Sequence, residues 1–350
     1  MSVAVIGAGV VGLATTAALL ERGADVVCYE QGAAVMGERS AGDSRIFRYA
    51  HRAPELVIAA GHSRRLFTGW ERRAGRQLVE PAGTVISGPT EQDVLPWARA
   101  MASAGAPFTV SFEDDDRPRL PAARLPEHFL ADPAGGVIRV DRVREFLSRI
   151  CAPAVRTAAV SGLEETSDGV LVRTRDGDCG GRFETVVLAA GAGTSALAAQ
   201  VGLDAPAALT HHARFTFPLR EQAPAGPPAW ITRTAGGLST YQHSSTPGHW
   251  AVGLELGASA TRWEVGRTAA LEAARAATLD YVRAELEHVE PRIVDEIYCT
   301  PYADLDDGIH YLRRDRTIAV YGENLFKFAP LIGEQLAGAV LDGVVPSSID

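Results

Sequence analysis

Two textures of hydrophobic patterning alternate along the 350 residues. In the first, short apolar runs stand as blocks, the pattern of a strand buried on both faces. Residues 2–6, 25–29, the run from Phe183 into the turn at Gly193, and residues 317–321 read this way. In the second, apolar and polar residues alternate, as in a strand with one buried face. Residues 213–218, 229–234, 237–243 and 250–256 are of this kind and are expected to be antiparallel. Residues 77–80, 83–87, 154–163 and 169–175 are shorter strand candidates, the last leading into a turn at 176–178. Helical spacing predicts helices over 10–22, 54–73, 93–104, 141–150, 268–290 and 332–341. Residues 135–138 lead into the fourth, and the apolar stripe of the fifth runs through Leu271, Leu279, Val282 and Leu286. Prolines 118, 121, 126 and 133 mark an irregular stretch, and the acidic run 113–116 reads as a solvated loop without a metal site.

The first thirty residues carry the strongest local signal. The strand 2–6 runs into Gly7-Ala8-Gly9-Val10-Val11-Gly12, a helix follows, and Gly23 separates it from a second strand ending at Glu30. This order is that of a dinucleotide-binding βαβ unit. Gly7 allows the tight turn, Gly9 lets backbone N–H groups approach a pyrophosphate, and Gly12 lets the helix pack closely on the strand. The helix N-terminus adds partial positive charge. Glu30 stands 18 residues after Gly12, where a carboxylate can accept ribose hydroxyls. The uncharged run from Val3 to Leu20 also has the length of a membrane helix. Three glycines at this spacing, with no Lys or Arg ahead of them, argue against a span or a signal segment.

Composition narrows the picture. Hydrophobic and charged contents of 46% and 22% are those of an ordinary globular chain. A net charge of −9 leaves no basic excess for nucleic-acid phosphates. The cysteines Cys28, Cys151, Cys179 and Cys299 form no C-x-x-C pair, so neither a zinc cage nor a disulfide framework is expected. A cytoplasmic setting follows most simply. His211-His212 lacks a third ligand at useful spacing and reads as part of a strand. Of the 34 basic residues, 33 are arginine, and the single lysine is Lys327. A lone lysine in an arginine-saturated chain marks a place for a compact ammonium. The loop 31–52, with Arg45 and Arg48 three apart, suits anion contacts.

Four motifs in order then resemble a known family. They are the glycine fingerprint closing on Glu30, the G-D-S-R-I-F-R loop at 42–48, the A-A-G-A-G turn at 189–193 and the G-x(3)-F-K-F segment at 322–328. Together they resemble the D-amino-acid oxidase superfamily, closest to the monomeric sarcosine oxidase and N-methyltryptophan oxidase branch. The resemblance implies an α/β fold: a Rossmann-like FAD-binding domain with an inserted α+β substrate domain on a mixed, largely antiparallel sheet. The expected boundaries are 1–76, 136–207 and 299–350 for the first domain, 77–135 and 208–298 for the second.

The same resemblance implies site residues. Gly7, Gly9 and Gly12 would hold the FAD pyrophosphate, Glu30 the ribose, and the Val160 backbone the adenine. Ser44 and Arg45 would lie by the flavin ring. Ala8, Val10, Val11, Gln31, Ser40, Ala190, Gly191, Gly322, Phe326 and Lys327 are the other expected cofactor contacts. Arg48 and Lys327 would clamp a substrate carboxylate, and Cys299 would link covalently to the flavin. Tyr241 would keep an active-site tyrosine role. Glu255, in G-L-E-L-G, stands where this branch carries an oxygen-activating lysine, and Ser259 stands where it carries a histidine. The implied activity is oxidation of the C–N bond of a carboxylate-bearing secondary or cyclic amine, with flavin and then oxygen as electron acceptors. Alternatives are a flavin dehydrogenase of 2-hydroxy acids and an FAD-binding electron-transfer subunit without turnover. No metal, nucleic-acid or membrane partner is expected.

Overall fold

The computed structural model describes residues 1–111, 118–122, 126–175, 177, 179–221, 223 and 226–349. The acidic run 113–116 and most of the turn 176–178 lie outside them. Backbone contacts divide the chain into two compact units: 1–41, 142–209 and 302–350 form the first, 42–141 and 210–301 the second.

The first unit is built on a six-stranded sheet in the order His310–Arg314, Thr317–Tyr321, Thr185–Leu188, Ser2–Ile6, Asp25–Glu30, Val155–Thr157. Every neighbouring pair is parallel except the first. The central strand Ser2–Ile6 is buried from Val3 to Ile6 because it has neighbours on both sides and helices over it. Helix Val10–Glu21 is buried from Val10 through Leu19, which explains why it is apolar all round rather than striped. The final helix, Ala329–Asp342, packs on it, and a Cβ on Gly333 would lie 2.7 Å from the Ala14 carbonyl, so the two backbones touch. The membrane-length apolar run is therefore one buried strand and one buried helix. Among the described residues, no helix is long and apolar enough to cross a membrane.

Three expectations need correction here. Residues 154–163 are not one strand: Val155–Thr157 closes the edge of the parallel sheet, and Val160–Thr166 opens a separate antiparallel sheet with Gly169–Thr174 and Cys179–Phe183. The Ala158 N–H to the Glu30 carbonyl is the last rung of the parallel ladder, and the chain leaves that sheet after it. The last helix begins at Ala329 rather than at 332, because Pro330 suits the first turn, where its missing N–H has no intrahelical partner anyway. The helix expected over 268–290 stops at Glu285, and the backbone turns at Leu286.

The second unit centres on an eight-stranded sheet in the order Asp295–Cys299, His212–Pro218, His249–Glu255, Ser239–Ser244, Ala229–Arg233, Thr84–Gly88, His128–Asp132, Thr109–Ser111. Only the pair Ala229–Arg233 with Thr84–Gly88 is parallel, which gives a mixed, largely antiparallel sheet. A small sheet of Ser44–Phe47, Gly136–Arg139 and Val79–Glu80 lies in the same unit. Residues 136–139 are thus a strand before the helix Val140–Cys151, not merely its approach. The segment 42–76, expected with the nucleotide-binding domain, groups with the second unit. Ser44–Phe47 pairs with Gly136–Arg139, and the fully buried Asp132 carboxylate accepts the Tyr49 and Ala50 N–H groups at 2.6 and 3.1 Å. Those bonds satisfy backbone donors that burial would otherwise leave unpaired.

Period-two alternation divides the large sheet into two chemically different faces. Ala213, Phe215, Phe217, Trp250, Val252 and Leu254 share a core with Tyr281 and Val282 of helix Arg267–Glu285. A polar residue on that face, Gln242, is satisfied: it donates to Thr240 and Tyr281 and accepts from the Trp250 indole, all at 2.8–2.9 Å. Intervening positions point the other way.

Candidate cofactor site and reactive sheet face

In the first unit the glycine turn has the shape that close backbone approach demands. Gly7 adopts φ +103°, and a Cβ there would lie 2.6 Å from the Ala189 carbonyl and 2.9 Å from Ala190 Cα. A Cβ on Gly12 would meet the Gly7 carbonyl at 1.8 Å. The Gly7 N–H donates to the Tyr29 carbonyl at 2.8 Å. Glu30 reaches back over this turn: one carboxylate oxygen accepts the Ala8 N–H at 3.0 Å, the other the Gly32 N–H at 2.8 Å. Ser40 Oγ accepts the Val10 N–H at 3.0 Å, serving an orphan donor at the helix start. The expected residues Gly7, Ala8, Gly9, Val10, Gly12, Glu30, Ser40 and Ala190 are therefore gathered at one turn. Val11 is buried in the helix, while Gln31 is exposed beyond the strand.

A second cluster braces the later loops of this unit. The Tyr302 hydroxyl donates to the Gly191 carbonyl at 2.8 Å, and its backbone N–H donates to the Glu323 carboxylate at 2.7 Å. Arg39 pairs with that same carboxylate and lies over the Tyr302 ring. Burial raises the Glu323 carboxyl above the ordinary range, and Arg39 opposes the shift. Gly322 has φ +152°, and a Cβ there would strike the Gly308 carbonyl at 2.2 Å. In the turn that follows, Phe326, Lys327 and Phe328 are buried. Lys327 Nζ donates to the Asn324 carbonyl at 3.2 Å and lies 4.8 Å from the Phe328 ring centre. Val160 begins its strand beside a register shift that precedes Gly162.

In the second unit, the sheet face opposite the core gathers several of the candidate residues. His212 pairs with Cys299, Arg214 with Gly253 and Ile297, and Tyr241 with Gly253. These positions are two apart along each strand and so share a face. The Tyr241 ring lies over Gly253, where a Cβ would meet it at 2.2 Å. His212 stacks on Tyr241 with centroids 5.7 Å apart, and its Nδ1 is 3.7 Å from Cys299 Sγ. Glu255 closes the strand His249–Glu255 on the Gly253 side, exposed and paired with Ser239. Burial raises the Tyr241 phenol, so it stays protonated, although Arg214 opposes the shift. Arg45 Nη1 donates to the Ser44 carbonyl at 2.8 Å. Arg48 Nε donates to the Ala50 carbonyl at 2.9 Å, and its guanidinium lies over the Trp97 ring beside that of Arg52.

The adjacent histidines divide their roles. His211 Nε2 donates to the Trp263 carbonyl at 3.1 Å and Nδ1 accepts from the Tyr298 hydroxyl at 2.7 Å, so both nitrogens are used structurally. Among the described residues, no His, Cys, Asp and Glu group could hold a metal ion. All four cysteines are free thiols.

Sequence reasoning passed over Arg214 and His243. Both are buried on the reactive face, and Arg214 Nη1 donates to the Ser44 carbonyl at 3.0 Å and to His243 Nε2 at 3.2 Å. A charged residue in the middle of Ala-Arg-Phe-Thr-Phe was the available signal. It was masked because arginine is so common in this chain.

This turn of close-packed glycines, with an acid at the end of the second strand and a separate sheet presenting polar groups on one face, defines a two-part nucleotide-dependent oxidoreductase fold. The chain belongs to the FAD dependent oxidoreductase family, whose model matches residues 2–339. NikD, described as an unusual amino acid oxidase essential for nikkomycin biosynthesis, is 21% identical over 99% of this chain and 98% of its own, with a TM-score of 0.83. The L-proline dehydrogenase of P. horikoshii is 15% identical over 98% and 93%, TM-score 0.78. The iminodiacetate oxidase of Chelativorans sp. BNC1 is 18% identical over 99% and 96%, TM-score 0.75. At these identities the likeness is one of fold. No curated protein matched.

His243 gives this site a pH signature. Burial, then Arg214 and Arg45, hold its ring well below the usual histidine range, so it is neutral in the folded protein. Once unfolded, it takes up a proton below about pH 6.5. Its contribution to stability is therefore complete above that pH and is lost as the pH falls, by about 1.4 kcal/mol per unit. Urea unfolding at pH 7 and pH 5 is expected to show this loss in the unmutated protein and a smaller one in His243→Gln. Equal losses would show that His243 ionises in the folded state.

Proposed function

We propose that this protein oxidises the C–N bond of an amino-acid-like secondary or cyclic amine bearing a carboxylate, in the manner of the sarcosine oxidase branch of its family. The observation that carries this reading is the buried lone lysine, Lys327, set in the G-x(3)-F-K-F segment beside the final helix. A compact ammonium at this position can give a substrate carboxylate a charge-assisted hydrogen bond. Lys327 and Arg48 are assigned to that carboxylate. The glycine turn fits FAD, because Gly7 and Gly12 bring the strand end and the helix start into backbone contact and Gly9 places no side chain over the helix N-terminus, where a pyrophosphate is favoured. When bound, the flavin supplies the two-electron acceptor for the α-C–H hydride.

The chain's own groups bind and orient. The substrate amine is taken up neutral, so that nitrogen's lone pair assists hydride loss from the adjacent carbon. The neutral Tyr241 phenol can donate a hydrogen bond there, and the exposed Glu255 can accept a proton or hold a cation. Anaerobic mixing with a panel of N-alkyl and cyclic amino acids and of 2-hydroxy acids tests the reading. Bleaching of the flavin by amines only is expected. Bleaching by hydroxy acids only favours the dehydrogenase alternative, and none at all favours the electron-transfer subunit.

Three substitutions follow. Removing one partner of a charge-assisted contact costs about 2–5 kcal/mol. Lys327→Met is therefore expected to weaken a carboxylate inhibitor roughly thirtyfold or more, with 1.4 kcal/mol per factor of ten; unchanged affinity removes Lys327 from the clamp. The flavin is proposed to be attached through Cys299, with His212 close enough to take its thiol proton. Acid precipitation should leave colour in the pellet of the unmutated protein and release it from Cys299→Ser. Free FAD from both proteins would exclude the link.

Oxygen is the proposed final acceptor, and Glu255 is expected to make its reduction slow. Negative charge develops on oxygen as it takes an electron, and opposite unit charges about 4 Å apart gain roughly 4 kcal/mol at an effective dielectric near 20. A carboxylate in place of an ammonium forfeits that gain. Stopped-flow reoxidation is expected to be faster in Glu255→Lys than in the unmutated protein, and equal rates would show that this position does not govern the step.

A further inference from the structure

One buried charge on the reactive face lacks a direct ion pair, with Asp43 and Asp295 favouring it only from further off. Arg214 is 5% exposed, and among the described residues no carboxylate lies within ion-pair distance of it. Its Nη1 is satisfied by Ser44 O and His243 Nε2, but its Nε has no partner. Because guanidinium can only donate, His243 Nε2 accepts and the ring proton sits on Nδ1, which also has no partner. The buried Ser44 hydroxyl is a third orphan. A second guanidinium is close by: Arg45 Nη1 donates to the same Ser44 carbonyl as Arg214. A Cβ on Gly42 would lie 3.2 Å from Arg45 Nη1 and 3.3 Å from Arg214 Nη2, and 2.3 Å from Ile297 Cδ1, so the two cations come together beside a bare backbone that the Ile297 side chain packs against.

A buried cation without a direct ion pair, a second guanidinium beside it and three unused donors are costly in a protein without a ligand. One small anion would relieve all of these costs. We infer that Arg214, Arg45, Ser44 and His243 form a binding site for a single carboxylate group, separate from the roles assigned to Lys327 and Arg48. Two sources supply that chemistry: a free small carboxylate, or a second acidic group on the substrate. The second source rests on the amine-oxidation reading and narrows it to dicarboxylic amines, while the first does not depend on it.

Thermal midpoints of the flavin-loaded protein separate the two sources, using formate, thiodiacetate and (methylthio)acetate as probes. The two thioethers carry sulfur where an amine substrate carries nitrogen, so neither can be oxidised as an amine. A saturable rise with formate that needs at least tenfold more ligand in Arg214→Met identifies a free-anion site. Thiodiacetate binding at least tenfold tighter than (methylthio)acetate, with the preference lost in Arg214→Met, identifies a ligand-borne carboxylate. If none of the probes shifts the unmutated protein, or if Arg214→Met leaves every titration unchanged, the inference is wrong. Should Arg214→Met fail to fold, Ser44→Ala is expected to weaken the same ligand threefold or more, and undiminished affinity there overturns the site. Flavin reduction plays no part in this readout. Amine-driven bleaching without an anion effect refutes only this site, and the reverse result refutes only the amine reading.

Discussion

The first unit depends on the contact between Gly12 and the Gly7 carbonyl. With 1.8 Å available for a Cβ, no other residue lets the helix leave the strand at this angle. The helix is clamped on its far side by Gly333 against Ala14, so it cannot swing outward to make room. Three further bonds register on the same turn: Glu30 to the Ala8 N–H, Ser40 to the Val10 N–H, and the Met36 N–H to the Ala8 carbonyl. A displaced helix would break them together. The turn is a backbone surface whose shape is set by what its residues lack, and that is what a pyrophosphate requires.

The second unit solves a different problem with a strand's two-residue period. Its sheet must bury a large apolar face to fold and still hold polar groups in place. Phe215, Phe217, Trp250 and Val252 serve the first need, and Gln242 among them has its hydrogen bonds filled. His212, Arg214, Tyr241, His243 and Cys299 occupy alternate positions on the same strands, and there the orphaned donors of Arg214 and His243 are found. Fully satisfied polar groups mark the face that only supports. The unsatisfied ones on the opposite face are the basis for the anion site proposed above.

How much was legible in the sequence followed from how local each signal was. The glycine turn, Glu30 and the flanking strands were readable because their spacing is fixed within thirty residues. Strands His212–Pro218 and His249–Glu255 were readable because one face of each is apolar. The break between Thr157 and Val160 was not, since it is set by where pairing with the distant strand Asp25–Glu30 ends. Strand Gly136–Arg139 is four residues long and was hidden beside a strongly amphipathic helix. Lys327 was conspicuous as the only lysine, whereas Arg214 was one arginine among 33. Its burial, not its identity, sets it apart.

The central claim is that the glycine turn is the FAD cradle and that its backbone contact is indispensable. The flavin content of purified protein, read from the visible spectrum and compared with that of Gly12→Ala, tests this most directly. The account predicts about one FAD per chain in the unmutated protein and almost none in Gly12→Ala, because the added Cβ must push the helix start away from the strand. A Gly12→Ala protein that keeps its full FAD, or an unmutated protein that binds none when FAD is supplied, would contradict it.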